Sequence, residues 1–486
     1  MKFRAFFFLL MNLLALAGMA QEGVSPATFG GQGSLRVQGI PQTDTALVVV
    51  QSITLEHNNV THDDIIFREL LFDPGDTLAT DVLLELARQS RQNLLNTSLF
   101  NFVELLVDCD EASNVQVYLS FVERWYLWPF PILELGDRNV NTWLGNPRLS
   151  RLNYGLRILH ENFRGRNENL ELLLRFGYQK IFSLNYFKPY INKSQTLGFN
   201  LDMGFNMSRE LAYATRDNKQ LFYRNSSGLA YQQFFVNPGL VYRPRIHSTH
   251  TVSLGFTRHE FADTLLVLNP LFAPDNRTRM QYFVLSYMYK NDHRDIRAYP
   301  LQGYYMDVRF TRMGLGLIPT ENMDVTMLEA SARKFWKLAP RWFAAAGVNS
   351  KISDGRSISY FNQQGLGFKG DLVRGFEDYV VDGQHFFVFK SNLKFTLVPQ
   401  RTSQLGIINN PRFSLIHYAI YLNMHADAGI IHDRLFNNFN SLSNKWLGGT
   451  GVGLDFVTYY DRVFRVEWSL NSLGESGLFF HLLAPI

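Results

Sequence analysis

From about residue 152 onward the chain alternates apolar and polar positions in one short segment after another, with almost no helical period. In segment 462–471, Phe464, Val466, Trp468 and Leu470 share one face, and Arg465, Glu467, Ser469 and Asn471 share the other. In 385–397, Phe387, Phe389, Leu393, Phe395 and Leu397 oppose Lys390, Asn392, Lys394 and Thr396. Such segments number sixteen, at 152–159, 169–179, 182–190, 197–209, 212–224, 229–243, 248–261, 280–292, 304–312, 324–334, 342–353, 385–397, 413–428, 446–458, 462–471 and 477–483. A soluble sandwich also alternates, but seldom over so many strands and with so many Phe and Tyr on their faces. An even number of amphipathic strands is the pattern of a closed antiparallel barrel in a membrane. A charge facing lipid costs about 2–4 kcal/mol at mid-depth, so the polar faces are expected to look into the lumen.

Residues 46–124 follow a different rule. Residues 47–56 read as a Val- and Ile-rich strand. Thr61-His62-Asp63-Asp64 reads as a helix start, with the Thr61 hydroxyl as its cap and acids in the first turn. Asp73-Pro74-Gly75-Asp76 is a turn, and a second helix is expected over about 80–96, with Leu83, Ala87 and Leu94 on one stripe. In 114–123, Val115, Val117, Leu119 and Phe121 alternate with polar positions as a half-buried strand does. The order is βααββ, a small α+β domain. Residues 21–45, rich in Gly, Gln, Ser, Thr and Pro, read as a flexible leader. Residues 125–151 read as a linker, with Trp125-Tyr126-Leu127-Trp128 as an interfacial aromatic belt.

Composition sharpens this picture. Of 486 residues only 19% are charged, while 22 Tyr and 41 Phe are present, against about a quarter charged in ordinary soluble domains. That aromatic content excludes disorder. No segment after residue 20 approaches the length of apolar run that a spanning helix needs. Lys2 and Arg4, the apolar run from Ala5 to Leu16 and the small-x-small Gly18-Met19-Ala20 make residues 1–20 a secretory signal peptide. Taking Lys2 and Arg4 away lowers the net charge from +4 to +2, too little to argue for nucleic acid. Cys109 is the single cysteine, which excludes an intramolecular disulfide.

Two stretches resemble the BamA/TamA family of outer-membrane assembly factors. The first is Ile66-Phe67-Arg68-Glu69-Leu70, then Gly75-Asp76, then Asn96-Thr97-Ser98-Leu99-Phe100-Asn101-Phe102-Val103, closing on Val122-Glu123-Arg124. It is similar to that family's POTRA domain. The second is Leu372-Val373-Arg374-Gly375-Phe376, which is similar to the family's VRGF/Y motif in a long loop, with five strands to follow. The resemblance implies a single α+β POTRA domain at 46–124, followed by a 16-stranded antiparallel transmembrane β-barrel over 152–486. It also implies that Val373, Arg374, Gly375 and Phe376 lock the loop inside the lumen against Asp427. In 413–428, Ile416, Tyr418, Ile420 and Leu422 define the lipid face, so His417, Tyr421, Asn423, His425 and Asp427 are expected to face inward. The family often has an aromatic where His425 stands, and the chain ends on Leu483-Ala484-Pro485-Ile486 rather than on an aromatic, with Phe479 and Phe480 a little earlier.

What the resemblance implies of function is insertion and assembly of outer-membrane proteins, without enzymatic chemistry, cofactor or metal. The POTRA domain would lie in the periplasm and offer the edge strand Phe102, Val103, Glu104, Leu105, Leu106 and Val107 to an extended client by strand addition. The first strand (152–159) and the last (477–483) would meet at a short seam able to open sideways. Expected partners are unfolded outer-membrane protein clients, outer-membrane lipid, and periplasmic chaperones or accessory lipoproteins. A polypeptide secretion pore, a passive channel and a lipid-handling barrel stay open as alternatives. Other constellations carry less. Gly365-x-Gly367-x-x-Gly370 neither follows a βαβ strand nor opens a helix, His247 and His250 read as rim residues, and Gly474-Glu475-Ser476-Gly477 has the wrong frame for a nucleophile elbow.

Overall fold

The structure is a computed structural model and describes residues 34–39, 46–135, 152–319, 321, 323–368, 371–404, 414–458 and 462–482. The signal peptide, most of the leader, the segment 136–151 and the four terminal residues lie outside the described residues.

The N-terminal α+β domain contains β1 (Leu35–Gln38), β2 (Leu47–Glu56), α1 (Asp63–Phe67), β3 (Thr77–Ala79), α2 (Thr80–Asn96), β4 (Phe100–Cys109) and β5 (Asn114–Glu123). Its sheet runs in the order β1-β4-β5-β2-β3. Alternation on β4 and β5 sends Leu105, Val107, Val117 and Leu119 into one apolar core with Leu83, Ala87 and Leu94 of α2. Thr61 does not cap α1, whose N-terminal residue His62 makes no side-chain cap. Instead the Glu123 carboxylate accepts from the Val60 and Thr61 amides, at 3.1 Å and 2.7 Å. The leader supplies β1, which pairs in parallel with β4 from Leu35↔Leu105 to Gln38↔Asp108. The expectation of a flexible leader is corrected for these residues, and β1 lies along the β4 edge from Leu105 to Asp108. Val37 answers Val107 and Leu35 packs against the core, which gives the pairing an apolar reason.

The second unit is a 16-stranded antiparallel sheet with the fold of an outer-membrane barrel. Its strands are β6 (Leu127–Leu135), β7 (Leu152–Phe163), β8 (Glu168–Gly177), β9 (Gln179–Lys188), β10 (Leu197–Ser208), β13 (Tyr231–Arg245), β14 (Ser248–Phe261), β15 (Arg279–Asp292) and β16 (Gly303–Met313). They continue as β17 (Val325–Ala339), β18 (Trp342–Gly355), β19 (His385–Gln404), β20 (Leu415–His432), β21 (Trp446–Thr458), β22 (Arg462–Asn471) and β23 (Ser476–Leu482). The expected segment 212–224 is not among them. It forms a separate hairpin, β11 (Glu210–Arg216) with β12 (Lys219–Arg224). Asp217 and Asn218 at its tip both hold positive φ, as a type I′ hairpin turn needs, and each arm is shorter than the 9–11 residues of a membrane strand.

The missing wall strand is β6, in the segment read as a linker and aromatic belt. Pro129 and Pro131 hide it from a strand reading, but β6 is an edge of the sheet, where proline is tolerated. The Tyr126 carbonyl accepts from the Glu161 amide, which makes 126/161 a hydrogen-bonded pair. By alternation the backbone of residues 129 and 131 then points away from β7, so both missing N–H groups fall on the free edge. Tyr126 itself is buried in the α+β core, its hydroxyl donating to the Leu99 carbonyl at 2.9 Å.

The wall inverts the usual pattern of burial. On β22, Phe464, Val466, Trp468 and Leu470 are exposed, while Arg465, Glu467, Ser469 and Asn471 are buried. On β19, Lys390, Asn392, Lys394 and Thr396 are buried beside exposed Phe387 and Phe389. This arrangement is favourable where lipid lies outside and a hydrogen-bonded polar lumen inside.

Candidate functional site: the arginine loop and the two ends of the sheet

The loop between β18 and β19, residues 356–384, carries the arginine motif into the lumen. The Arg374 guanidinium meets Asp427 on β20 in two parallel bonds, Nε to Oδ2 at 2.7 Å and Nη2 to Oδ1 at 2.5 Å. Its Nη1 donates to Asn392 Oδ1 at 2.7 Å, its Nη2 also to the Ser391 carbonyl at 3.1 Å, and its own amide to Asp427 Oδ2 at 3.2 Å. Both side chains are buried, at 5% and 0% exposure. Only a planar, forked cation fills so many acceptors at once, which is why a lysine would not substitute.

The neighbouring motif residues seat the arginine. Val373 and Phe376 are buried in an apolar cluster with Leu366, Val388, Ile431 and Leu447. Gly375 holds φ +92°, a conformation that favours glycine, and a Cβ there would stand 3.2 Å from the Asn471 Cβ. The Asn471 side-chain Nδ2 donates to the Gly375 carbonyl at 2.9 Å. Gly449 on β21 leaves room for the Arg374 carbonyl, where an added Cβ would collide with it at 1.8 Å. The β11–β12 tip covers the loop from above. The Val380 amide donates to the Asn218 carbonyl, and the Asn218 amide to Asn440 Oδ1 at 3.0 Å. Burial pushes the Asp382 carboxyl in this loop up to about 7, and the nearby Asp433 carboxylate adds to the push. The lumen keeps a cavity of about 1720 Å³, lined by Gln179, Asn206, Gln233, Glu329, Lys351 and Asp371 among others.

At the opposite end the short turns of the barrel hold the α+β domain. Arg243 at the end of β13 grips Glu69 with both prongs, at 2.7 Å and 3.0 Å, and also donates to the Tyr190 hydroxyl at 2.6 Å. Asn162 donates to the Thr61 hydroxyl at 2.9 Å, and Asn96 to the Asp295 carbonyl at 3.0 Å. From the turn 293–302, Tyr299 enters the lumen and donates to Asp455 Oδ2 at 2.7 Å. Asp455 is paired in turn with Arg465 at 2.6 Å and 2.9 Å. Sequence reasoning quoted Glu69 only as part of a family motif and missed Arg243, Tyr190 and Tyr299. Nothing local marks these three, because their partners lie more than fifty residues away along the chain.

Of the expected edge residues, Leu105, Leu106 and Val107 lie opposite β1, while Phe102, Val103 and Glu104 lie beyond its end. Among the described residues no ladder joins β6 to β23, so these two strands stand at the ends of the sheet order.

Residues 162–386 match the Omp85 superfamily domain, a span that includes the arginine motif. No curated protein matches the sequence. CdiB from Escherichia coli is similar in structure at TM-score 0.51 and 12% identity, covering 90% of this chain and 75% of that one. BamA from Haemophilus ducreyi lacking POTRA domains 1-3 is similar at TM-score 0.48 and 15% identity, covering 90% and 84%. At these identities the likeness to CdiB speaks for the fold alone. The domain match, together with a 16-stranded sheet of inverted burial and the loop that enters it, makes residues 162–386 similar to the Omp85 superfamily domain, on a chain with the fold of an outer-membrane β-barrel.

Proposed function

We propose that this barrel inserts and assembles other proteins in the outer membrane, with its α+β domain acting as a periplasmic POTRA domain. The observation that carries the reading is the first strand of the wall. Pro129 and Pro131 remove two donors from the free edge of β6, the edge that would meet β23. A seam between such strands holds few hydrogen bonds, so it opens sideways at low cost and offers β23 as a template for a client strand. Arg374 and Asp427 keep the rest of the wall rigid while that seam moves.

Client capture would begin on the edge of β4, over Phe102 to Val107. In support of this, β1 pairs with Leu105 to Asp108 in the way an added strand would. A client would take the place of β1, so the leader acts as a tethered competitor. The firm contacts Glu69–Arg243 and Asn96–Asp295 fix the direction in which a captured strand leaves the domain. Extracellular loops, outer-membrane location and client substrates follow from the same reading, with energy drawn from client folding.

The test is reconstitution into liposomes with an unfolded barrel client, scored for insertion and for ion conductance together. Cysteine pairs placed one on β6 and one on β23 should abolish insertion when oxidised and restore it on reduction. Unchanged insertion with the seam cross-linked would refute sideways opening. Passage of the client into the vesicle interior, rather than its insertion, would favour a secretion pore.

A further inference from the structure

We propose that Glu377, Glu467 and His481 form a site for a divalent cation of the zinc class, which ties the long loop to the last strand of the barrel. The three residues come from separate elements. Glu377 follows Phe376 in the loop, Glu467 sits midway along β22, and His481 lies on β23. One donor atom from each lies within 4.8 Å of the other two. His481 Nε2 stands 3.2 Å from Glu467 Oε1. Zinc makes roughly 2.0–2.2 Å bonds with imidazole and carboxylate, so binding would draw the three side chains together.

Two independent features point to a missing ligand. The Glu467 side chain is fully buried, and its Oε2 has no hydrogen-bond partner; the same holds for Oε1 of the part-buried Glu377. His425 on β20, also fully buried, directs Nδ1 toward Glu467 Oε2 at 3.9 Å, again without a hydrogen-bond partner. Its other nitrogen, Nε2, meets Ser469 Oγ at 3.3 Å. In the tautomer that donates to Ser469, Nδ1 keeps its lone pair beside Glu467, outside the group of three donors itself.

Charge counting leads to the same place. Arg374 is matched by Asp427, and Arg465 by Asp455, each in two short bonds. Arg465 Nη1 also approaches Glu467 Oε2 to 3.9 Å, outside hydrogen-bond reach. With both arginines bonded to aspartates, and the buried Lys390 and Lys394 attracted by Asp427 and Asp455, the Glu467 carboxylate and the part-buried Glu377 carboxylate lie beside His481 and His425. Such a pair is costly to leave uncompensated in a low-dielectric lumen, and one dication cancels it. Two carboxylates with one or two imidazoles suit zinc, whereas calcium and magnesium call for more oxygens.

This inference does not depend on the assembly reading, because its test measures cation binding and not client insertion. The full chain in detergent micelles, freed of metal by a chelator, should bind Zn2+ at one site per chain in calorimetric titration. Glu467→Gln and His481→Ala should each weaken that binding about tenfold or more. Glu377→Gln, a change in the loop rather than in the wall, should do the same while leaving heat-modifiable gel mobility intact. Zn2+ should also raise the temperature at which that mobility changes in the parent and not in the variants. Absence of saturable binding, or equal binding by the parent and all three variants, would overturn the site. An equal response to Mg2+ would overturn the donor assignment.

Discussion

The α+β domain and the barrel wall use the same alternation of apolar and polar residues with opposite sign. On β5, Val115, Val117, Leu119 and Phe121 turn inward to a dry core. On β22, with an equally regular pattern, Arg465, Glu467, Ser469 and Asn471 turn inward, and the aromatics face out. Periodicity therefore reports the strand, and the surrounding solvent decides which face is the inside. The two interiors also differ in what holds them. One relies on apolar contact, which is non-directional and tolerant of shape change. The other relies on matched charges, whose removal in halves is severe.

That contrast can be tested first at its most sensitive point. Arg374→Ala leaves Asp427 buried and unmatched, together with Asn392, and should destabilise the barrel by about 3–5 kcal/mol. Arg374→Lys should rescue only part of this, since an ammonium cannot make the forked pair. Leu83→Ala should instead cost the α+β domain about 3 kcal/mol through an apolar cavity. Heat-modifiable mobility reports the barrel, and limited proteolysis reports the domain. Each substitution should move its own readout only. If Arg374→Ala leaves the barrel transition where it was, the loop lock is not what holds the lumen.

The sign of the wall is tested next. Val466 faces outward in the middle of β22. Val466→Arg should cost about 2–4 kcal/mol in a bilayer, falling towards zero when the same change is placed near either end of a strand. Refolding into lipid vesicles across a urea series measures it. A flat dependence on depth would mean that water, not lipid, surrounds this face, and the inverted burial would need another cause.

How far the sequence carried can be judged strand by strand. The alternations at 385–397 and 462–471 were legible because each strand has one lipid face and one polar face. The segment 212–224 read as a wall strand because its alternation is real, yet its turn residues Asp217 and Asn218 fold it back on itself. β6 was passed over for the opposite reason: two prolines argue against any interior strand, and only its place at the end of the sheet admits them. The two errors offset each other, so the count of sixteen agreed while the first strand was misplaced. The pairing of Arg374 with Asp427 was reachable through a motif and a strand phase. Arg243 with Glu69 was not, since neither residue lies in a pattern that names the other. The zinc-class donors Glu377, Glu467 and His481 were equally invisible, being spread over a loop and two strands.

The misplaced first strand leads to the finest test. In β6 both prolines sit at positions whose backbone faces away from β7, so neither disturbs the β6–β7 ladder. Their effect falls on the free edge alone. Replacing Pro129 and Pro131 by alanine returns two N–H groups to that edge. Each new hydrogen bond to the opposite strand would contribute about 0.5–1.5 kcal/mol. The double variant should therefore be slightly more stable than the parent, with unchanged β6–β7 pairing, and should insert a client several-fold more slowly. Hydrogen exchange on β23 reads the tightening, and the liposome assay reads the rate. A variant that is stabilised but inserts as fast as the parent would separate seam strength from function. One that is destabilised would mean that the prolines serve β6 by fixing its backbone, as a residue locked near φ −65° does in an extended strand. The two outcomes differ in sign, so even this small effect tells whether the weak edge is there to open or only to avoid sticking.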